Sequence, residues 1–259
     1  MERFEVTILG CGPSNGVPSL ARGFGECDPN NPKNIRTRTA ALITTDEGKN
    51  ILIDTDPEIR MQLLRAGSPK IDAVLYTHSH YDHMGGANDL CSFIDRLDQP
   101  LPIYLTQESA QQFEKQLDYI VKTKDNPFDI RIIEPYQPFL IGETLIMPIL
   151  QYHGNQISLG YRIGDFAYST DLKKMDKKGF DLLKGIKVWV LGVVSPIKNS
   201  QYLKFQKHVY LDEALEWIES IRPQQVYLTH MGYRMDYDAL CERLPDFIRP
   251  GYDNLVIEF

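Results

Sequence analysis

The chain has 259 residues, 42% apolar and 24% charged, enough to bury a sizeable core in a soluble globular protein. Its net charge of −7, without a block of basic residues, argues against a broad nucleic-acid surface; no apolar run is long enough to span a bilayer, and Met1-Glu2-Arg3-Phe4-Glu5 lacks a secretory pattern. Cys11, Cys27, Cys91 and Cys241 are scattered without disulfide or Cys-x-x-Cys spacing, which fits reduced thiols and a cytoplasmic location.

Phe4 to Leu9 alternates apolar and polar residues and predicts a strand. Gly10-Cys11-Gly12-Pro13-Ser14-Asn15-Gly16-Val17-Pro18 follows, a tight loop whose amides can cradle an anion. Pro13 and Pro18 oppose a helix there, so it is not a dinucleotide fingerprint. Residues 19–37 are rich in Gly, Pro and Asn and read as an irregular insertion bordering the site. Arg36 and Arg38 come next, and either can meet a phosphate. Ser14, Asn15 and Arg38 are the candidate substrate-binding residues of this region.

Residues 40–45 and 51–53 predict paired strands around Asp46-Glu47-Gly48-Lys49. Asp56 suits a helix N-cap, Pro57 its first turn and Gly67 its stop, with positions 59, 63, 64 and 66 as the buried face. Ala73-Val74-Leu75-Tyr76 predicts a buried strand running into Thr77-His78-Ser79-His80-Tyr81-Asp82-His83-Met84-Gly85-Gly86. Three imidazoles and a carboxylate, packed into one short stretch at a strand end, point to metal ligation. His78 and His80 alternate, so an extended backbone turns them the same way. Asp82 and His83 fall where the chain must turn, so the segment can serve two adjacent ions.

Residues 101–105 predict a strand, and 107–122 a helix with Phe113, Leu117, Ile120 and Val121 inward, ended by Asp125-Asn126-Pro127. Strands are expected at about 130–134 and 144–150, the second landing on His153. Ile157–Ile163 and Phe166–Ser169 read as a hairpin over Gly164-Asp165 that delivers Asp171. Val188–Val194 is nearly all apolar, as a central strand should be. His208 precedes a helix over Leu211–Ile221, with Asp212 and Glu213 in its first turn and Pro223 closing it. Val226-Tyr227-Leu228-Thr229-His230 nearly repeats Val74-Leu75-Tyr76-Thr77-His78, which points to two related halves meeting at one site. Ile257 belongs to a final short strand. No linker divides the chain, so residues 1–259 read as a single domain, with a sheet-on-sheet core flanked by helices.

His-x-His-x-Asp-His resembles the signature of the metallo-β-lactamase superfamily. The resemblance implies an α/β fold, the four-layer αββα sandwich of two mixed β-sheets flanked by helices, with the site at one rim between the sheets. Matched motif by motif, it implies that His78, His80 and His153 hold one metal and that Asp82, His83 and His230 hold the other, with Asp171 bridging. The ligand chemistry suits zinc or manganese, and iron also. Two divalent ions share a hydroxide abundant at neutral pH, which Asp82 can orient for attack. Two ions against two carboxylates and one hydroxide leave a positive site that attracts a phosphodiester. Esters, thioesters and lactams stay open on site chemistry alone.

The Gly10–Pro18 loop, Arg36-Thr37-Arg38, Leu228-Thr229-His230-Met231-Gly232 and His208 ahead of Leu211-Asp212-Glu213-Ala214-Leu215 form a set. Together they resemble the phosphoribosyl 1,2-cyclic phosphate phosphodiesterases linked to the carbon–phosphorus lyase pathway, over nearly the full length. That implies hydrolysis of a small cyclic phosphodiester, a small phosphorylated substrate, and a His208 that points at the phosphate as general acid or clamp. Members can carry a structural zinc held by clustered cysteines and a late histidine. Here Cys27 stands alone and Tyr233 sits where that histidine is expected, so no such zinc is predicted. A tRNA 3′-processing endonuclease would need a basic RNA-gripping arm, which the sequence lacks. A non-catalytic metal-binding or cofactor-biosynthesis module is disfavoured by the complete ligand set, and a di-iron oxidoreductase by Ser79 and the Asp82-His83 pair. A homodimer is compatible with everything above.

Overall fold

In a computed structural model that describes residues 4–96, 99–196 and 207–259, alternating strand residues build two sheets packed face to face. Strands and helices are numbered along the chain. The first sheet contains β1 (Glu5–Gly10), β2 (Ala40–Thr44), β3 (Asn50–Ile53), β4 (Ala73–Leu75), β5 (Leu101–Leu105), β6 (Phe128–Ile132) and β15 (Leu255–Glu258), in the order β15-β1-β2-β3-β4-β5-β6. The second contains β7 (Phe139–Ile141), β8 (Thr144–His153), β9 (Gln156–Ile163), β10 (Phe166–Ser169), β11 (Lys174–Met175), β12 (Val188–Gly192), β13 (Gln225–Thr229) and β14 (Ile248–Pro250). Its order is β11-β8-β9-β10-β12-β13-β14, with β7 also on β8. Both sheets are mixed: β3 to β6 run parallel, as do β10, β12, β13 and β14, while the other pairings are antiparallel.

Successive strand side chains alternate faces, and both faces are buried. Ala41, Ile43, Ile51, Ile53, Ala73 and Leu75 face the second sheet in a cluster with Tyr161, Phe166 and Trp189. Their neighbours Leu42, Leu52 and Val74 face outward. There they meet Ile59 and Leu63 of α1 (Ile59–Arg65), and a second helix beyond Tyr81–Met84 (α2), α3 (Gln107–Gln116), which adds Ala110 and Phe113; α4 (Asp118–Val121) follows it. On the second sheet, α5 (Lys177–Leu183) and α6 (Leu211–Ile221) contribute Leu183, Leu211, Ala214 and Ile218, and α7 (Tyr237–Arg243) contributes Leu240. The four-layer arrangement expected from the sequence is therefore the observed one. No helix among the described residues is long and apolar enough to cross a membrane.

Several boundaries move. Asp56 does cap a turn, since its Oδ1 accepts from Glu58 N at 2.7 Å, but the helix begins at Ile59, and Leu64 is exposed rather than inward. The expected 107–122 helix breaks at Leu117, whose φ of −112° and ψ of 27° end α3. The strand expected at 130–134 lies at Phe128–Ile132, and the one at 144–150 extends to His153. The 226–230 strand stops at Thr229, and His230 follows it with a φ of 55°.

The 19–37 insertion is irregular, with one 3-10 turn at Pro32–Asn34. It is fastened to the segment after His230. Asn34 is buried; its Nδ2 donates to Asp236 Oδ2 at 2.7 Å and its Oδ1 accepts from Tyr237 N at 2.9 Å. Arg36 corrects one expectation. It is buried, donating to Asn34 Oδ1 and to the carbonyls of Gly232 and Met235, so it holds the insertion down and offers nothing to a phosphate. Cys27 lies buried in the same region, and burial pushes its thiol up, so it stays protonated.

Candidate metal centre

Parallel strands place the site. β3 and β4 run parallel, so Asp54 and Thr77 leave the first sheet at one edge; β10, β12 and β13 run parallel, so Asp171 and His230 leave the second sheet likewise. Asp54 is the anchor. Its Oδ1 accepts from Thr77 N and its Oδ2 from Thr77 Oγ1, both at 2.8 Å, and Oδ2 also accepts from His83 Nδ1 at 2.7 Å. A carboxylate can only accept, so the His83 proton sits on Nδ1 and Nε2 is left as a ligand atom. The motif turns through α2, which starts after His80 and carries Asp82 and His83. Gly86 then passes against the β3–α1 connection: a Cβ there would come within 2.1 Å of the Asp56 carbonyl oxygen, so only glycine fits.

The second sheet supplies the rest. His153 ends β8, and its Nδ1 donates to the Lys207 carbonyl at 2.9 Å, which leaves Nε2 facing Asp171. Asp171 follows β10 in a left-handed conformation, φ 50°, with Thr170 Oγ1 donating to its Oδ2 and Ser158 Oγ to its carbonyl.

Ligand atoms of His78, His80, His153 and Asp171 lie within 4.8 Å of one another, and so do those of Asp82, His83 and His230. Asp171 faces both groups. Its Oδ1 is 3.4 Å from His153 Nε2, and its Oδ2 is 2.9 Å from His83 Nε2 and 3.3 Å from His230 Nε2. Asp82 Oδ2 is 3.5 Å from His83 Nε2 and 3.9 Å from His230 Nε2. Despite this crowding, His83 Nε2 and both His230 ring nitrogens are buried without a hydrogen-bonded partner. His83 Nε2 and His230 Nε2, buried without a hydrogen bond beside the Asp171 carboxylate, are the donor atoms that a metal ion can take up.

The electrostatics agree. Burial alone would raise Asp171, yet His230, His83 and His208 hold its carboxyl well below the ordinary range. Burial would likewise raise Asp82, and His230 and His83 bring it down. Burial would lower His83 and His230, but Asp171, with Asp54 beside the first and Asp82 beside the second, carries both upward. Two fixed anions among imidazoles demand compensating positive charge, so the donor set fits divalent cations.

His208 borders this centre on its open side, with a side chain 25% exposed. Its Nδ1 is 3.7 Å from Asp171 Oδ1, and its ring centroid is 4.7 Å from those of both His153 and His230. Its ligand atoms also group with Asp171 and His230. Ser14 and Asn15 line a cleft of about 300 Å³ together with Arg22, Tyr210 and Tyr233. Tyr210 and Gly232, also in its wall, are each two residues past a site histidine, which ties the cleft wall to the segments that carry His208 and His230. A hollow of about 400 Å³ around Glu143 and Arg162 lies toward the start of β8, away from His153 at its end. Arg38 is not in the wall of this cleft; its Nη1 is paired with Glu58 and its Nε donates to the Ser14 carbonyl at 2.7 Å.

Two residues carry more than their sequence suggested. Asp54 drew no functional assignment from the sequence; the signal was an acid directly after an apolar strand. Glu213 accepts from Tyr210 N at 3.1 Å and from Lys173 Nζ at 2.7 Å, tying the segment that carries His208 to the one that carries Asp171.

A family described as the beta-lactamase superfamily domain matches residues 49–231. An octanoyltransferase of Porphyromonas gingivalis is 32% identical over 254 residues, covering 96% of this chain and 50% of that protein. A ribonuclease Z of Clostridium kluyveri is 25% identical over 192 residues, covering 71% of this chain and 53% of that protein. The chain thus spans about half the length of these two curated relatives. A crystal structure described as a new diphosphatase from the PhnP family superposes with a TM-score of 0.91 at 27% identity, covering 100% of this chain and 98% of that one.

Proposed function

The chain belongs to the metallo-β-lactamase superfamily, and on that premise we propose that it is a metal-dependent hydrolase that uses two metal ions to hydrolyse a small cyclic phosphodiester of the phosphoribosyl 1,2-cyclic phosphate type. The observation that carries this reading is Asp171, whose two carboxylate oxygens face two separate donor groups. His78, His80 and His153 are assigned to one ion, Asp82, His83 and His230 to the other, and Asp171 to both. When bound, two divalent ions lower the pKa of a water and neutralise charge on the phosphoryl oxygens. Zinc or manganese suits this ligand set best.

The chain's own groups do the rest. Asp82, held ionised by His230 and His83, can accept a hydrogen bond from the attacking water and orient it. Asp171 fixes the separation of the two donor groups. His208, 3.7 Å from Asp171, is assigned to give the leaving alkoxide its proton. Burial pushes it down to about 3, against the pull of Asp171, and a bound phosphate would raise it.

The diphosphatase and the ribonuclease Z both, by their names, cleave phosphorus–oxygen bonds. The octanoyltransferase extends well beyond the match, so its acyl transfer can reside in the half that this chain does not share. Turnover of cyclic and linear phosphodiesters, a precursor tRNA and an octanoyl thioester by metal-loaded protein tests the reading; faster cleavage of the thioester or of the tRNA refutes it. His208→Ala should cost about 10²–10⁴-fold on an alkyl or ribosyl ester and much less on a p-nitrophenyl ester, which needs no protonation. Equal losses on both make His208 a phosphate clamp instead of an acid.

A further inference from the structure

The two sheets end in edge strands that differ in how they are guarded. β14 has three residues and contains Pro250, β11 has two residues and β7 three. Short strands and proline keep an edge from pairing with another chain. β15 carries one charged residue, Glu258, and no base to set opposite it in a second copy. β6 has none of these guards. It closes the first sheet beyond β5 and runs for five residues, Phe128-Asp129-Ile130-Arg131-Ile132. Its register with β5 is unbroken, from Leu101 opposite Phe128 to Leu105 opposite Ile132, and Ile132 is 44% exposed.

The β5 bonds decide which groups of β6 are left over. Leu101 N donates to the Pro127 carbonyl at 2.7 Å and Ile133 N to the Leu105 carbonyl at 3.0 Å. The direction of backbone groups alternates along a strand, so Asp129 and Arg131 turn their amides and carbonyls to β5, and Phe128, Ile130 and Ile132 turn theirs outward. Phe128 N is taken by Asn126 Oδ1 at 3.0 Å. The amides of Ile130 and Ile132, and the carbonyls of all three, have no partner among the described residues. Side chains alternate too. Ile130 packs with Phe128 on the helix side, and Asp129 and Arg131 lie on the other face. Arg131 is held there: Nε and Nη2 donate to Asp129 Oδ2 at 2.8 and 2.7 Å, and Nη1 donates to the Tyr104 hydroxyl at 2.6 Å. Both side chains remain open to solvent, Asp129 at 45% and Arg131 at 47%.

We propose that β6 is a self-association edge, at which two copies of this chain pair antiparallel about a two-fold axis through Ile130. That register sets Ile130 against Ile130 of the partner subunit, where the outward amides and carbonyls exchange bonds, and brings Ile132 N to the partner's Phe128 carbonyl. It also sets Asp129 directly opposite the partner's Arg131, and Arg131 opposite the partner's Asp129. Moving the axis one residue either way sets Asp129 or Arg131 against its own copy, so charge selects this register. The seven-stranded sheets of the two copies become one continuous sheet. β6 lies two strands beyond β4, so the pairing uses no ligand-bearing segment and does not depend on the phosphodiesterase reading.

Sedimentation of the full chain tests this, in reductant because Cys241 is exposed. Wild type should show a monomer–dimer equilibrium at about 1–100 μM, as suits an interface built on one short strand. Asp129→Arg and Arg131→Asp should each weaken self-association by about tenfold or more, because like charges then face each other. An equimolar mixture of the two variants should recover the dimer, since every opposed pair is again an aspartate and an arginine. Ile132→Lys, an exposed substitution that leaves the Arg131–Tyr104 contact in place, should weaken association likewise. A wild type that is monomeric at about 500 μM overturns the proposal. So does a dimer that survives these substitutions, or a mixture that associates no better than its components.

Discussion

Replacing Asp54 by asparagine should cripple one half of the centre without unfolding the chain. Asn is nearly isosteric and tolerates the left-handed conformation found at Asp54, φ 63°. Its carbonyl oxygen can keep the bond to Thr77 N, and the Thr77 hydroxyl can rotate to accept from the new NH₂ group. His83 has no such freedom. Facing a donor in place of a carboxylate, Nδ1 must become the acceptor, and the ring proton moves to Nε2, the atom 2.9 Å from Asp171 Oδ2. A protonated nitrogen cannot ligate. Loss of such an orienting partner typically weakens metal binding by 10–100-fold, about 1.4–2.7 kcal/mol. Burial already pushes the Asp54 carboxyl upward, with His83 opposing, so a neutral isostere escapes part of the desolvation cost. The net penalty to folding should stay at about 1–2 kcal/mol. Titration of zinc against a chromophoric chelator should show one weakened site and one site of normal affinity, with a thermal midpoint lowered by only a few degrees. Two sites of wild-type affinity in Asp54→Asn would show that Asp54 does not control the His83 proton.

Asp171→Ala should lower activity by orders of magnitude and bring the metal content below two ions per chain by elemental analysis; full turnover with both ions retained removes Asp171 from the site. Asp56 offers a pH test away from the ligands. Its Oδ2 is buried without a partner, and burial, with Glu58 beside it, pushes its carboxyl up to about 8. A raised acid favours the folded state below its unfolded value, about 4, and that contribution fades as pH climbs through 8. Asp56→Asn should therefore gain on wild type as pH rises, with a midpoint difference at pH 9 more favourable than at pH 6. A difference that stays constant between those pH values refutes the assignment.

The metal ligands were legible because the chemistry is concentrated in the chain. His78 to His83 fall in one segment, and His153, Asp171 and His230 each follow an apolar strand. Parallel pairing then carries strand ends to one rim, which is why reading strand by strand found them. Asp54 was not legible, because its function depends on the register of β3 with β4, where Ile53 stands opposite Leu75. Arg36 misled for a related reason: a positive side chain in a sequence does not disclose its partner, and this one finds it in the Met235 carbonyl, 199 positions away. Two short helices, α5 and α7, carry readable Asp176 and Asp236 caps, but seven residues give too little apolar periodicity to separate helix from loop.

The fastening of the 19–37 insertion has a practical side. Asn34, Arg36 and Asp236 clamp it through amide, guanidinium and carboxylate groups, with the Cys27 thiol enclosed beside them. None of these bonds depends on thiolate chemistry, so a clamp of this kind is indifferent to chelating agents and to mild oxidants. A chelator applied to the histidine cage should thus leave the 19–37 insertion fastened, so its folding can be followed apart from metal content.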